Sequence, residues 1–158
     1  MDYKIRYAEP HDIDEIINLC EEHAEFEKAE YSPVRKAERL AKYLFIDQPP
    51  LFCLIAENSA GELLGYTTFM QEFSTWDAAF YMHMDCLFLR PHARNFGIGE
   101  QLIRKIAKRA EALNCKQIQW HTPAFNEKAV KFYHRIGATS RQKSRLYLDE
   151  KAIEELAK

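Results

Sequence analysis

Two of the chain's five glycines, Gly97 and Gly99, sit in the segment Arg90 to Gly99 (RPHARNFGIG). Apolar Leu87-Phe88-Leu89 precedes this segment and a stripe of helical spacing follows it. A strand, a glycine-bearing turn and a helix start together make an anion site. Unpaired N–H groups point outward there, and the helix dipole favours negative charge. Glycine lets a phosphate approach the backbone closely, and Arg90 and Arg94 would add charge-assisted bonds. The loop is therefore expected to hold a phosphate or pyrophosphate, against the plainer reading of a tight turn before a helix. It is not the dinucleotide fingerprint, because position 102 is Leu where a third spaced glycine is needed. It is not a P-loop either, since no Gly-Lys-Ser/Thr follows.

The elements that must carry this loop alternate between strand and helix. Tyr3 to Ala8 reads as an opening strand, closed by Pro10. Asp12 with Glu15 has capping-box spacing before a helix whose apolar face is Ile13, Ile16, Ile17 and Cys20. An acidic stretch follows: Glu21, Glu22, Glu25, Glu27 and Glu30. Ser32-Pro33 opens a second helix with Leu40, Tyr43 and Leu44 as its apolar side, ended by Pro49-Pro50. Leu51 to Glu57 and Leu63 to Glu72 form a hairpin about Asn58-Ser59-Ala60-Gly61. Phe73 to Ala79 is a loop, and Phe80 to Leu89 is a longer strand. The helix after the glycine loop carries Leu102, Ile103, Ile106, Ala107, Ala110 and Leu113 on one stripe. Gln117 to Trp120 is a strand; Asn126 caps a short helix that stops at Gly137. Arg145 to Leu148 is expected to be a last strand and Asp149 to Ala157 a terminal helix. The order β-α-α-β-β-β-α-β-α-β-α predicts an α/β fold: a mixed sheet, antiparallel at first, with a parallel crossover after the fourth strand and helices on both faces.

Composition bounds the rest. The 158 residues suit one domain spanning residues 1–158, and hydrophobic residues at 47% are enough for a core without staples. The net charge of −2 lacks the basic excess that phosphate neutralisation on a nucleic acid needs, so no nucleic-acid partner is expected. No apolar run approaches the ~20 residues of a membrane span, and the N-terminus lacks the apolar core of a signal peptide. Cys20, Cys53, Cys86 and Cys115 form no C-x-x-C pair, which fits reduced thiols in a cytoplasmic protein. A metal site from His83, Cys86 and His92 matches no zinc spacing, and no metal is expected. His83 shares the alternation parity of Asp85 and His121 follows the fifth strand, so either could serve as a base.

Arg94-Asn95-Phe96-Gly97-Ile98-Gly99 resembles the acyl-CoA-binding signature of the GNAT N-acetyltransferases, Arg/Gln-x-x-Gly-x-Gly/Ala. Asn126-Glu127-Lys128-Ala129-Val130-Lys131-Phe132-Tyr133, then Gly137-Ala138, is similar to that family's second signature. Both lie in the family's order, and the resemblance covers nearly the whole chain. Glu25-Phe26-Glu27, the Phe73-Ser74-Thr75-Trp76 loop and an acid in the fourth strand look most like the spermidine/spermine and thialysine acetyltransferase branch. Asn95 stands where that branch usually has glycine, a residue that tolerates positive φ, and Asp85 stands where it usually has glutamate.

The resemblance implies acetyl-CoA as co-substrate and direct transfer, in a ternary complex, to a primary amine of a small cationic acceptor such as a polyamine, diamine or lysine-like molecule. Asp85 would be the base, acting through one water, or a substrate-orienting carboxylate, or a satisfied polar residue of a sheet. Tyr133 would be the acid for the leaving thiolate, against a packing aromatic beside Phe132. Backbone groups of Leu87 and Leu89 would pair with pantetheine like an added strand, beside a splay beyond the fourth strand. Asn126 both caps its helix and would contact the pantetheine arm, with Phe132 in the same signature. Glu27, Glu30, Glu72, Asp77 and Trp76 with Asp85 would form a cation-binding rim, or the acidic stretch is a solvated face. Similar proteins imply a homodimer. Two other classes remain open: an acyl-CoA-binding sensor without turnover, and an acetyltransferase for protein N-termini or lysines.

Overall fold

In the computed structural model, which describes all 158 residues, the chain divides into two compact units, Met1–Pro123 and Ala124–Lys158. The first holds a five-stranded sheet in the order β1-β2-β3-β4-β5. The strands are β1 (Tyr3–Tyr7), β2 (Phe52–Asn58), β3 (Leu63–Ser74), β4 (Ala79–Leu89) and β5 (Ile118–Gln119). Neighbours are antiparallel from β1 to β4, and β4 pairs β5 in parallel. Three helices belong to this unit: α1 (Ile13–Glu27), α2 (Lys36–Leu44) and α3 (Ile98–Ala112). The second unit contains α4 (Glu127–Arg135) and α5 (Glu150–Leu156). No helix of the chain is long and apolar enough to cross a membrane.

The apolar spacings place the helices as expected in the main. On α1, Ile16, Ile17 and Leu19 are buried; Ile16 and Leu19, with Leu44 of α2, pack on Cys53, Ile55, Tyr66 and Phe88 of the sheet. On α3 the buried stripe is Ile98, Leu102, Ile103, Ile106 and Ala110, while Ala107 is exposed. The crossover from β4 through α3 to β5 is the predicted parallel one.

Four local expectations are corrected. The capping box lies one turn earlier, on a 3-10 turn at Pro10–Asp12, with Glu9 and Asp12 as its reciprocal pair. Asp12 is drawn away from α1 because Arg6 grips it with two bonds, of 2.6 and 2.9 Å. Helix α2 starts at Lys36 and not at Pro33, since Lys36 N–H closes a turn on the Pro33 carbonyl and Arg35 is left-handed at φ +57°. The third and fourth strands run closer to the hairpin tip than expected, to Ser74 and from Ala79. Arg145 to Leu148 is not a strand: Leu146 and Tyr147 are 89% and 86% exposed, and no neighbouring strand offers them a ladder.

The tightest point of the sheet is Gly65 opposite Leu89. A Cβ there would run into the Phe88 carbonyl oxygen and sit 2.5 Å from the Leu89 side chain and 2.9 Å from its Cα. Backbone cannot retreat as a flexible side chain would. Gly65→Ala is therefore expected to cost about 1–3 kcal/mol or more, by overpacking. Urea unfolding measures it, and a midpoint equal to the wild type would show that the two strands separate freely.

Candidate active site

Strand β4 carries one residue more than the β3 segment it faces. Phe69 is opposite Met84 and Thr68 is opposite Cys86, so Asp85 has no partner and forms a bulge. Adjacent β3 residues point to opposite faces, hence Met84 and Cys86 do as well. The bulge thus brings Cys86 and Phe88 onto the α1 face, where Phe88 joins the core cluster. Asp85 is exposed; its Oδ2 lies 3.6 Å from the Cys86 sulfur, and its charge reaches both His23 and Cys20. On its other side β4 meets β5 only at Met82 and His83, so the two parallel strands part just before Asp85. This is the expected splay.

The glycine loop folds into a left-handed turn that opens a helix. After a 3-10 turn at Pro91–Ala93, Asn95 and Gly97 both adopt left-handed backbone, φ +68° and +80°. Gly97 is the N-cap of α3, and its carbonyl accepts the first helical bond, from Gln101 N–H. The N–H groups of Ile98, Gly99 and Glu100 precede that bond and lack an intrahelical acceptor. Ile98 is buried and anchors the turn, while Phe96 is about half exposed at 49%.

The two loop arginines divide. Arg94 Nε donates to the Leu89 carbonyl at 3.0 Å, and its guanidinium lies over the rings of Phe26 and Phe88, at 4.7 and 5.8 Å. That aims a stacked, oriented cation along the end of β4. It also occupies the Leu89 carbonyl, one of the groups expected for an added strand; Leu87 stands opposite Thr67 in the ladder. Arg90 departs from expectation. It is bound by Glu22 at 2.6 Å, Glu15 at 2.7 Å and the Leu63 carbonyl at 2.9 Å, so its charge is spent inside the fold. These acids also drive its basicity higher still.

The rim residues do not gather as one set. Glu27 meets His23, with Oε1 3.2 Å from Nε2. Asp77 is bonded to Ser74, Trp76 is 95% exposed, and Glu72 accepts a very short bond from Tyr81. These three belong to the β3–β4 hairpin end, which lies six residues along β4 from Asp85, about 20 Å at the strand rise. Glu30 is exposed beyond α1. His83 rests beside His121 with ring centroids 5.8 Å apart, and His92 turns to Glu62 at 3.1 Å.

In the second unit Asn126 Oδ1 accepts from Ala129 N–H at 3.3 Å, capping α4 as expected. The helix closes with Gly137 at φ +99°, where Gly137 N–H reaches the His134 carbonyl and Ala138 N–H the Tyr133 carbonyl, a Schellman end. Tyr133 is 9% exposed and its ring tilts against that of Phe132 at 5.2 Å. Sequence reasoning overlooked His23. Its signal was present, a histidine four residues before Glu27 on a helix, the spacing at which side chains meet.

A family model described as the acetyltransferase (GNAT) family matches residues 12–138, a stretch that runs through both units. The thialysine N-epsilon-acetyltransferase of Mus musculus is 31% identical over 165 aligned residues, covering 98% of this chain and 96% of the mouse protein. The enzyme of that name from Caenorhabditis elegans is 30% identical, covering 90% of this chain and 86% of its own. An integron cassette protein from the mobile metagenome of V. cholerae superposes with a TM-score of 0.77 at 26% identity, over 100% of this chain and 99% of that one.

The left-handed turn yields one test. Asn95→Gly is expected to leave stability unchanged or raised, whereas Asn95→Val should cost about 1–2 kcal/mol from Cβ strain at positive φ. Thermal unfolding of the two variants side by side decides it. Equal midpoints would mean that the turn is not held left-handed.

Proposed function

The chain belongs to the acetyltransferase (GNAT) family, and from that membership we propose that it moves an acetyl group from acetyl-CoA directly to a primary amine of a small cationic acceptor. The observation that carries this reading is the Asp85 bulge on the strand that leads into the left-handed turn and free N–H groups of α3. The curated relatives' name, thialysine N-epsilon-acetyltransferase, supports a lysine-like acceptor with a distal amine. A homodimer, a cytoplasmic setting and a single functional domain belong to the same proposal.

The donor set suits acetyl-CoA. The first-turn N–H groups of Ile98, Gly99 and Glu100, with Gly97 behind them, would take the pyrophosphate, and Arg94 would add charge. A side chain at Gly97 meets only the Tyr3 hydroxyl, at 4.0 Å, but the φ of +80° favours glycine. Backbone of β4 at Leu87 would line the pantetheine arm; within the second unit, the family's second signature gives Asn126 and Phe132 a role toward that arm. Bound there, acetyl-CoA supplies an activated thioester carbonyl.

The protein's own residues then move protons. An ammonium with pKa near 10 must become an amine before attack, and Asp85 takes that proton at its carboxylate through one water. The extra residue at the bulge presents this carboxylate outward, and one methylene fewer than glutamate leaves room for the water. Tyr133 returns a proton from its phenol to the departing sulfur, whose basicity is similar. Glu27 and Asp85 place negative charge on the acceptor side and raise the local concentration of a cation.

Tyr133→Phe is expected to lower kcat about 100-fold or more while acetyl-CoA affinity by native mass spectrometry holds within about threefold. Unchanged turnover would remove Tyr133 from the reaction. Asp85→Asn should lose activity near neutral pH and recover it as pH nears about 10, where the amine deprotonates unaided. A parallel loss at every pH would make Asp85 a binding group only. Acetyl transfer is followed by free-thiol release over a panel of lysine analogues and polyamines. A folded protein that neither binds acetyl-CoA nor releases thiol would refute the whole reading.

A further inference from the structure

A line of hydrogen bonds runs from the rim into the core of the first unit. His23 Nε2 lies 3.2 Å from Glu27 Oε1, and His23 Nδ1 lies 3.1 Å from the Tyr66 hydroxyl. An ionised carboxylate only accepts, so Nε2 carries a hydrogen and donates it to Glu27. In the neutral ring Nδ1 is then a bare lone pair, and the phenol must donate to it. The Tyr66 oxygen in turn meets the thiols of Cys20 and Cys86; Cys86 gives its one hydrogen to the Asp85 carboxylate, which leaves only the Cys20 thiol to donate to the phenol oxygen. From Tyr66 through His23, each donor therefore points toward Glu27.

Packing preserves that direction. The imidazole stacks on Phe88 at 5.2 Å and 23°, and meets the Tyr66 ring edge-on at 6.0 Å. Tyr66 is 1% exposed, the His23 side chain 14%, and the Glu27 side chain 36%. The titratable groups around the ring are Glu27 on its own helix, Tyr66 on β3 with the two thiols beyond it, and Asp85 on β4. Arg94 lies over Phe88, the ring on which His23 stacks. Protonation would set a second N–H against the Tyr66 hydroxyl. The hydroxyl hydrogen would then have only thiol sulfurs, weak acceptors, to turn to. Burial adds to this and holds the His23 pKa below the usual histidine value, although Glu27 and Asp85 pull it upward.

We propose that His23 is a positioning residue for the reaction proposed above, orienting Glu27 and, by remaining neutral, leaving that carboxylate free to hold a second ammonium of the acceptor. The inference rests on the amine-acetylation reading for its substrate and on the hydrogen-bond line for its geometry. The sign of the pH effect follows. Above the His23 pKa the imidazole is neutral and Glu27 offers a full charge to the acceptor. As pH falls through that pKa, an imidazolium claims the carboxylate and competes with the substrate, so KM rises on the acid side.

The test compares thialysine with 3-(2-aminoethylthio)propanoate, which keeps the reacting amine and lacks the second ammonium. His23→Leu should lower the kcat/KM ratio of thialysine to its analogue about tenfold, a coupling of about 1.4 kcal/mol. His23→Gln keeps a donor for Glu27 and an acceptor for Tyr66 but cannot be protonated. It should restore that ratio near pH 8 and abolish the acid-side rise in thialysine KM below about pH 6.5. If the leucine variant fails to fold, the glutamine pH profile decides alone. An unaltered ratio in folded His23→Leu, or an acid limb that persists in His23→Gln, overturns the proposal. A readout free of turnover is the long-range proton–nitrogen NMR spectrum of the wild-type ring. It should show the Nε2–H tautomer, titrating below about 6.5, with the Nε2 proton shifted by Glu27→Gln. An Nδ1–H tautomer refutes the geometry, whatever the enzyme acetylates. The expected ring state in a protein that acetylates neither amine overturns the acetylation reading and the ammonium assignment with it.

Discussion

Between Met84 and Cys86, β4 holds one residue that β3 does not answer, and the consequences of that mismatch run through the first unit. Strict alternation would send Phe88 to the face of Met82 and Met84. The bulge sends it to the α1 face, where it carries His23 and Phe26 on its ring and lies under Arg94. One unpaired residue thus does three things. It exposes a carboxylate, and it gives the acidic helix an aromatic floor. It also holds the arginine of the glycine loop at the end of the strand that precedes the loop. The cost is a gap in the ladder. The Thr67 hydroxyl partly offsets it by donating to the Cys86 carbonyl at 2.7 Å, while the neighbouring Thr68 hydroxyl is buried with the Cys86 thiol beside it.

Part of what depended on local chemistry was legible in the residues. The left-handed Asn95 and Gly97, the stripe of α3, the Asn126 cap and the Gly137 stop are each decided within about one helical turn. The order of strands and the parallel crossover follow from connection lengths that allow little else. The bulge carried no such signal, because Asp85-Cys86 contains no glycine and the missing partner lies on another strand. For the same reason parity grouped His83 with Asp85, though His83 stands opposite Met70 in the ladder and Asp85 has no partner. Arg145 to Leu148 has the residue types of a strand, but a strand exists only where a neighbour supplies its bonds.

Arg90 shows why charge near a motif is weak guidance. Its partners stand 68 and 75 residues earlier, on one face of α1, and nothing near Arg90 names them. The acidic stretch that reads as one rim is likewise sorted by helical phase. Glu15 and Glu22 are seven residues apart, two turns on the same side, and both turn inward to Arg90. Glu21 and Glu25 are exposed, and Glu27 is reached through His23. A run of like charge therefore divides into one structural carboxylate, Glu22, a solvated face, and one carboxylate supported by His23.

That division also explains how two arginines four residues apart come to different work. Arg90 enters a nearly isotropic cage of carboxylates and a carbonyl, so little of its field reaches an incoming anion. Arg94 has only one carbonyl acceptor, and its plane is set by aromatic faces that orient a cation without neutralising it. An ion pair would have fixed Arg94 equally well and left the helix N-terminus as the sole positive field. Aromatic stacking gives the same loss of side-chain freedom in advance and keeps the charge. The His23 line applies the same physics with the opposite sign. A neutral donor orients Glu27 where a lysine or arginine would have cancelled it. At Phe88, on the α1 face of β4, the charges of Arg94 and Glu27 are thus held by groups that carry none.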